Sequence, residues 1–468
     1  MTILQLGDGA VRGHRFDSHL SFPGIPYAAP PVGDRRWRAP TPVEPWEGIR
    51  EGPGTPAPQL AQSFAAVTSL DEDCLTLDVT VPATERAGRP VVVWLHGGGG
   101  TNGSGADVDP KRLAVTGDVV VVTPNFRLGV FACFGHPDLA DGGTFGLQDQ
   151  QAALRWVRRE IARFGGDPGN VTLAGESYGA LMIAAHLVSP GSAGLFHRAV
   201  LQSPFTVLAS TPASMFIPGL PALPPRWTPE AELAELGADM GDLAELRRAP
   251  VADLLPATGQ FIRPAFGGAT LPESPATAIP AGRFHRVPLL LGNTLDEARF
   301  YAELLGPVTA ERYPTLLDEA FGAAAAEVAA RYPLDRFPTP ADAWAQVSTD
   351  RAWALPAWEQ GRAFAAHTDT WCYEFADRDA PAFGPLPAGA VHGSTLAYLF
   401  DPPGGPELSP SQRELADRMV RYWATFAAHG DPGWPRLDHV QSLAPDRIGP
   451  TDYVAGHQLD FWAGLTRD

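Results

Sequence analysis

The stretch VTLAGESYGALMIAAHLV, residues 171–188, decides the fold. Val171 to Ala174 are apolar or β-branched, as is typical of a strand that is buried on both faces. The motif GESYG (175–179) follows, and an apolar helical pattern then runs from Tyr178 to about Val188. A serine flanked by glycines between a strand and a helix indicates a sharp, strained turn that projects its hydroxyl above a sheet. The alternative at this point is a glycine-rich turn whose serine only caps the helix.

Strand and helix patterns alternate on both sides of this turn. Before it, the apolar runs VVVWLH (91–96) and VVVVT (119–123) predict fully buried strands, and apolar residues recur at helical spacing from Leu147 to Phe164. After it, a further strand is predicted from Arg198 to Gln202. This order predicts a doubly wound, mostly parallel sheet with helices on both faces, which binds ligands outside the carboxyl ends of its strands.

The patterns continue beyond Ser203. They predict helices at 229–246, 310–331, 340–367 and 411–429, and strands at 287–292 and 371–375. The proline-rich segment 205–229 is interpreted as an ordered surface loop or a lid rather than a linker between domains. We therefore expect one domain over residues 1–468.

Composition and charge exclude several classes of function. The 35 Lys and Arg residues against 53 Asp and Glu residues give a net charge of −18 at pH 7, and such a surface repels nucleic acid. The longest apolar runs are of strand length, far below the roughly 20 residues of a membrane helix. Residues 1–20 carry several charges and show no secretory signal, which predicts a cytoplasmic location. We expect a monomer or small homo-oligomer that acts on a small molecule and binds neither membrane nor nucleic acid.

No motif predicts a metal or a cofactor. The cysteines Cys74, Cys133 and Cys372 are odd in number and lack CxxC spacing, so neither a disulfide framework nor a zinc site is predicted. The glycine run after residue 97 also matches GxGxxG, but the residues that follow begin no helix and the next strand does not end in the acid that binds ribose. A dinucleotide site is therefore not predicted.

The run HGGGG (96–100) lies at the end of the strand pattern 91–96. Consecutive glycines let backbone N–H groups approach a ligand with no side chain in the way, as an oxyanion requires. The run therefore predicts a set of backbone donors that a ligand can approach closely at this strand end.

A serine nucleophile needs a base, and the base needs an acid that orients it. The strand pattern 287–291 is followed by two carboxylates, Asp296 and Glu297, and either one suits the acid. Five histidines lie farther along the chain. His392 is favoured because it lies in a glycine-containing loop after a strand, whereas His367 and His429 fall within helical patterns. Spacing alone does not identify the base.

Several further motifs extend over almost the whole chain: FPGIPYA (22–28) with PPVG (30–33), EDCLTL (72–77), NFRLG (125–129) and FGGDPGNVTLAGESYG (164–179). With the HGGG strand end, they resemble the type-B carboxylesterase family, α/β-hydrolases that include bacterial para-nitrobenzyl esterases and, more distantly, cholinesterases. The resemblance implies a mostly parallel twisted sheet with helices on both faces and inserted helices and loops at the active-site entrance. It also implies hydrolysis of carboxylic esters through an acyl-enzyme, with no cofactor.

The resemblance implies a role for each residue of the site. Ser177 is then the nucleophile, His392 the base, and Glu297 rather than Asp296 the acid. The oxyanion hole is formed by the backbone N–H groups of Gly98, Gly99 and Tyr178. The substrate pocket includes Gly100, Thr101 and Glu176, and no metal is expected.

The chain also departs from the family pattern. Tyr178 stands where the family usually has Ala, which predicts a pocket floor that is narrower or differently shaped. Gly100 and Thr101 stand where aromatic residues are common, which predicts open space on that side. Thr395 replaces a Glu that usually follows the histidine by three residues, and Cys74 lacks the family's disulfide partner.

Two alternatives stay open at this stage. The first is a hydrolase of another acyl bond, such as an amide, carbamate or lactone, or an acyl-transfer enzyme of a specialised pathway. The second is a non-catalytic binding protein on the same scaffold, which the presence of all three triad candidates disfavours.

Overall fold

The computed structural model describes residues 2–61, 67–204, 227–304, 307–384 and 386–465. Its strands in chain order are β1 (Thr2–Gln5), β2 (Ala10–Arg15), β3 (His19–Pro26), β4 (Ile49–Arg50), β5 (Thr76–Pro82), β6 (Arg89–Leu95), β7 (Val120–Pro124), β8 (Gly166–Glu176), β9 (Arg198–Gln202), β10 (Thr228–Pro229), β11 (Ala265–Phe266), β12 (Leu289–Thr294), β13 (Thr370–Phe375), β14 (Val440–Ala444) and β15 (Arg447–Thr451).

Thirteen of the described strands form one sheet in the order β1-β2-β3-β5-β7-β6-β8-β9-β12-β13-β14-β15, with β4 beside β2. The seven central strands, from β7 to β14 in that order, are parallel, and antiparallel strands flank them on both sides. The carboxyl ends of β6, β8, β12 and β13 therefore meet at one edge of the sheet, where ligands of such folds bind. The prediction of a doubly wound, mostly parallel sheet is confirmed.

Along the chain, most helices of the described residues come in the connections between the central strands. They are α1 (Lys111–Gly117), α2 (Gly129–Cys133), α3 (Phe145–Glu160), α4 (Tyr178–Val188), α5 (Glu230–Ala238), α6 (Leu243–Arg248), α7 (Val251–Leu254), α8 (Pro275–Ala278), α9 (Arg299–Leu304), α10 (Tyr313–Phe321), α11 (Ala325–Arg331), α12 (Pro340–Thr349), α13 (Leu355–Ala365), α14 (Leu396–Leu399), α15 (Pro410–His429), α16 (Tyr453–Gly456) and α17 (Leu459–Leu465). Within this part of the chain, no helix is long and apolar enough to cross a membrane.

Successive residues of the central strands face opposite sides of the sheet. In β6, Val91, Val93 and Leu95 belong to one apolar core, and Val92 and Trp94 belong to the other. Helices α3, α4 and α13 cover the first core, and α1 and α15 cover the second. Both faces are thus buried, which explains why these strands are apolar throughout rather than alternating.

Three predicted helices are interrupted. The pattern 229–246 forms α5 and α6, with Gly241 between them at φ 126°. The pattern 310–331 forms α10 and α11, with Gly322 between them at φ 52°. The pattern 340–367 forms α12 and α13, joined by a π-helical turn at Asp350–Ala354. Pro356 follows this turn and has no N–H for a regular helical bond, so the helix widens there.

The predicted strands and the helices at 147–164, 178–188 and 411–429 are present, although several of their ends differ from the prediction by a few residues. The strands β1 to β5 and the hairpin of β14 and β15 are not predicted. The edge strand β1 buries only part of its side chains, and the buried strand β14 contains Gln441 and Ser442, so neither shows a continuous apolar pattern. Of the segment interpreted as a lid, residues 205–226 lie outside the described residues.

Candidate active site

The turn between β8 and α4 holds Ser177 in a strained backbone conformation, with φ 54° and ψ −115°. The two glycines that flank it are required by close packing. A Cβ on Gly179 would lie 2.1 Å from the carbonyl oxygen of Leu95, and one on Gly175 would lie 2.8 Å from the backbone of Gly179. The N–H of Ser177 donates to the carbonyl of Gln202 in the next strand, at 3.0 Å. The sheet therefore positions this serine at the N-terminus of α4.

His392 and Glu297 meet at the same edge of the sheet. The Nδ1 of His392 lies 2.7 Å from Oε2 of Glu297, so the imidazole donates a hydrogen bond to a carboxylate that is completely buried. The other oxygen, Oε1, accepts hydrogen bonds from the Ser203 hydroxyl at 2.5 Å and from the Thr294 N–H at 2.8 Å. Both donors keep the Glu297 carboxylate in the orientation that serves the imidazole.

The neighbouring carboxylate, Asp296, is placed differently. Its Oδ2 lies 3.7 Å from Arg378, and its backbone N–H donates to the carbonyl of Ala390 at 2.9 Å. The residues alone left the choice between Asp296 and Glu297 open. The structure places Glu297 against the imidazole and Asp296 against an arginine.

The second nitrogen of His392 faces another carboxylate, that of Glu176. The Nε2 atom lies 3.2 Å from Oε1 of Glu176, the residue before Ser177. Burial raises the pKa of Glu176 to about 7, with a lowering influence from His392 and a raising one from Glu297. Burial also lowers the pKa of His392, but the two carboxylates and the hydrogen bond that the imidazole donates to Glu297 outweigh it and raise the value to about 8.

Ser177 and His392 belong to this same edge, yet no hydrogen bond joins their side chains within the described part of the chain. Nε2 instead faces Glu176. Catalytic hydrogen bonds are often long or poorly aligned before a substrate binds, so this geometry is consistent with a serine that is activated only in the complex.

The glycine run after β6 forms a loop opposite Ser177. Gly98, Gly99 and Gly100 all have positive φ, of 95°, 63° and 78°, which side chains rarely adopt. A Cβ on Gly98 would lie 2.1 Å from the carbonyl oxygen of Asn102, whereas one on Gly99 would meet nothing within 4 Å. The loop therefore turns tightly and leaves open space at Gly99, as backbone donors to an oxyanion require.

Tyr178 fills the space beside Gly100. A Cβ on Gly100 would lie 2.6 Å from the Tyr178 ring, and only 5% of Tyr178 is exposed. The Tyr178 hydroxyl lies 4.0 Å from Sγ of Cys133. The sequence predicts open space at Gly100, but the ring of Tyr178 occupies it. Thr101 continues this loop, and its N–H and hydroxyl both donate to the Gly98 carbonyl.

A buried charged cluster lies behind the site. His457 contacts Oδ1 of Asp350 through Nδ1 and Oε1 of Glu374 through Nε2, both at 2.6 Å. Asp350 begins the π-helical turn, and the ring of Trp353 in the same turn lies 4.7 Å from the ring of His392. The cluster thereby holds the turn that packs against the imidazole.

Sequence reasoning did not identify Ser203, Trp353 or the His457 cluster. Ser203 follows β9 directly, so its place after a strand was a usable signal. Trp353 lies within the helix that the sequence predicts at 340–367, and no sequence pattern indicates its contact with His392. In the described residues, no group of three or more His, Cys, Asp or Glu side chains has the arrangement of a metal site.

The chain is similar to known esterases along most of its length. The profile of the Carboxylesterase family matches residues 1–445. The chain belongs to the carboxylesterase family. It is 34% identical over 463 aligned residues to the para-nitrobenzyl esterase of Bacillus subtilis (strain 168), and the alignment covers 91% of each chain. It is also 34% identical to the fumonisin B1 esterase of Sphingopyxis macrogoltabida, over 92% of this chain and 83% of that protein.

A solved structure supports the same assignment. The structure of this carboxylesterase matches the solved structure of a thermophilic PNB esterase with a TM-score of 0.77 and 28% sequence identity. The match covers 98% of this chain and 99% of the other. The resemblance noted from the motifs is thereby confirmed, as is the α/β-hydrolase fold. This carboxylesterase is a serine hydrolase that acts on carboxylic esters.

Proposed function

We propose that this carboxylesterase cleaves its esters with a triad of Ser177, His392 and Glu297. The observation that carries the proposal is the buried 2.7 Å contact between Nδ1 of His392 and Oε2 of Glu297. It fixes the imidazole tautomer, so that Nε2 is the nitrogen that accepts a proton. The strained turn exposes the Ser177 hydroxyl on the same edge of the sheet.

In the first half of the reaction, Oγ of Ser177 attacks the ester carbonyl carbon while Nε2 of His392 takes the hydroxyl proton. The Glu297 carboxylate stabilises the imidazolium that forms. The N–H groups of Gly98, Gly99 and Tyr178 stabilise the negative charge on the carbonyl oxygen. The imidazolium then protonates the alcohol as it leaves, and Ser177 remains acylated.

In the second half, water attacks the acyl-enzyme, and His392 again takes a proton and returns it to Ser177. The carboxylic acid is released and the enzyme is restored. All of these proton transfers use residues of this chain, and none needs a cofactor. We also propose a single domain, a small-molecule ester as substrate, and a pocket that includes Gly100, Thr101 and Glu176.

A cytoplasmic location and a monomer or small homo-oligomer stay predictions. Cys74, Cys133 and Cys372 are buried as free thiols, which suits a reducing compartment. Cell fractionation and analytical ultracentrifugation are the corresponding measurements.

The decisive experiment compares the wild type with Ser177→Ala. The variant should lose on the order of 10⁴-fold or more in the hydrolysis of para-nitrophenyl butyrate, with unchanged thermal unfolding. A fluorophosphonate probe should label the wild type and not the variant, which also excludes a non-catalytic binding protein. Equal turnover by the two purified proteins contradicts the proposal. A library of amides, carbamates and lactones tests the other acyl substrates.

A further inference from the structure

Arg263 lies beside the glycine loop of the site. It belongs to the segment between α7 and β11, and two neighbouring contacts locate this stretch of the chain. The Ala265 N–H donates to the Gly143 carbonyl at 3.1 Å, and the Ile262 carbonyl oxygen lies 3.1 Å from where a Cβ on Gly100 would stand. This segment therefore borders the loop that carries the oxyanion donors.

Four arginines of the described residues are buried, and three of them hold a carboxylate. The three pairs are Arg36 with Glu72 at 2.6 Å, Arg89 with Asp118 at 2.7 Å and Arg127 with Asp149 at 2.7 Å. The fourth is Arg263, which is only 6% exposed. Within the part of the chain that the structure describes, it has neither an ion pair nor a hydrogen bond through its guanidinium.

The titratable groups whose charge acts on Arg263 do not neutralise it. They are the Tyr178 hydroxyl and the Cys133 thiol, and burial raises the pKa of both, that of Cys133 to about 12. Burial lowers the pKa of Arg263 to about 10, so the guanidinium stays protonated at neutral pH. A buried cation without a counter-ion costs several kcal/mol, and this cost is offset when a bound anion pairs with it.

We propose that Arg263 binds a carboxylate carried by the ester substrate, next to the scissile bond. A planar guanidinium offers two parallel N–H donors to a carboxylate, and such charge-assisted pairs are strong in a buried site. The chain as a whole has a net charge of −18, which repels anions. A substrate carboxylate is therefore held only where a local positive charge, here that of Arg263, outweighs this repulsion. This inference rests on the proposed esterase function and names its substrate class: half-esters and other esters with a free carboxylate.

The test uses two matched ester pairs. In the first, the carboxylate is on the acyl group: mono(para-nitrophenyl) terephthalate against para-nitrophenyl para-toluate. In the second, it is on the alcohol: para-carboxyphenyl butyrate against para-acetylphenyl butyrate. The para position keeps each carboxylate away from its own ester, so no intramolecular attack occurs. The wild type is compared with Arg263→Gln and Arg263→Lys, and Arg283→Gln removes an exposed arginine as the control.

For one of the two pairs, Arg263→Gln should lower kcat/KM for the carboxylated ester by at least about tenfold, mainly through KM, because the substrate carboxylate loses its charge-assisted hydrogen bonds. The neutral partner should change less than about threefold, which also shows that the variant is folded. Arg263→Lys should keep part of the preference for the carboxylated ester. Lys retains the positive charge but lacks the two parallel N–H donors of a guanidinium. The pair that is affected shows whether Arg263 binds a carboxylate on the acyl group or on the alcohol of the ester.

Equal losses on both members of each pair, or no loss on any carboxylated ester, overturn the assignment of Arg263 while the esterase function stands. Failure of the wild type to hydrolyse the neutral esters overturns the proposed function instead. If Arg263→Gln does not fold, free para-toluate is the second probe on the wild type and Arg263→Lys. It should inhibit neutral-ester hydrolysis competitively and more strongly in the wild type, and equal or no inhibition contradicts the proposal.

Discussion

The imidazole of His392 lies between two carboxylates, with Oε2 of Glu297 at 2.7 Å from Nδ1 and Oε1 of Glu176 at 3.2 Å from Nε2. Both carboxylates favour the imidazolium. Glu176 is also the residue before Ser177, so its carboxylate stands next to the nucleophile. His392 and Glu176, whose pKa values are both raised, therefore titrate as a coupled pair.

The pH dependence of kcat/KM follows from this arrangement. His392 accepts a proton only when it is neutral, and its pKa is raised to about 8. We therefore expect kcat/KM to fall as the pH decreases through about 8, higher than the range of about 6 to 7 for a weakly perturbed imidazole. Glu176→Gln removes one negative charge and should move this midpoint to lower pH. A midpoint that is identical in the variant contradicts the coupling.

The acid is tested by a matched pair of adjacent substitutions. Glu297→Gln should lower kcat on the order of 100-fold or more, because it removes the acceptor that orients His392 and stabilises its charged form. Asp296→Asn should change kcat less than about threefold, since that carboxylate faces Arg378. Both rates are measured with para-nitrophenyl butyrate. A larger loss in the Asp296 variant contradicts the assignment.

Ser203 is expected to act as a positioning residue. Its hydroxyl donates to Oε1 of Glu297 at 2.5 Å, so Ser203→Ala should lower kcat about tenfold with little change in KM. The pH midpoint of kcat/KM should also shift, because the carboxylate that faces Nδ1 of His392 loses one of the two donors that orient it. Ser192→Ala, which removes a buried hydroxyl next to His186, is the control. A loss without any shift of the pH midpoint indicates a structural role only.

The contact between Tyr178 and Gly100 predicts an effect on specificity. Tyr178→Ala should open space beside the glycine loop and change the ratio of kcat/KM for benzoate and acetate esters by roughly tenfold, or about 1.4 kcal/mol. Tyr178→Phe keeps the ring and loses only the hydroxyl near Cys133, so its ratio should match the wild type. An unchanged ratio in the alanine variant shows that this ring does not shape the pocket.

The His457 cluster predicts a pH-dependent stability. Burial lowers the pKa of His457, but the hydrogen bonds and charges of Asp350 and Glu374 outweigh it and raise the value to about 10. Because the folded pKa lies above the ordinary value of 6.5, the stabilisation is complete below about pH 6.5 and is lost as the pH rises through about 10. The denaturation midpoint in urea should therefore fall over that range.

His457→Ala tests the same cluster at fixed pH. It leaves two buried carboxylates without a cation and should lower the free energy of unfolding by about 3 to 5 kcal/mol at pH 7. His14→Ala, on the exposed side of β2, should change it by less than about 0.5 kcal/mol. Equal midpoints for the two variants contradict the role of His457.

The local parts of the site are readable from the sequence. The strand before Ser177, the turn and the helix after it follow from apolar spacing and from two glycines that no larger residue can replace. Backbone sterics act between near neighbours, so a short stretch is sufficient to specify them. The same holds for the glycines at 98–100, whose positive φ angles favour residues without a Cβ.

The choice between Asp296 and Glu297 shows where local reasoning ends. Both follow the same strand, and only the loop that carries His392, about a hundred residues farther on, distinguishes them. The residues alone left both candidates open, and it was the resemblance to the family that selected Glu297. Long-range order of the sheet decides which carboxylate faces the imidazole, and that order is not encoded in either residue's neighbours.

The sequence by itself determined the parallel sheet, the strained serine turn and the glycine loop, because each depends on periodicity or steric limits within a few residues. Only the tertiary structure decided that Glu176 and Ser203 contact the base and its acid, that Tyr178 fills the space at Gly100, and that Arg263 is buried without a carboxylate. These facts depend on which distant side chains share a buried volume. Burial, and with it the strength of every charge interaction in the site, exists only once the whole sheet has formed.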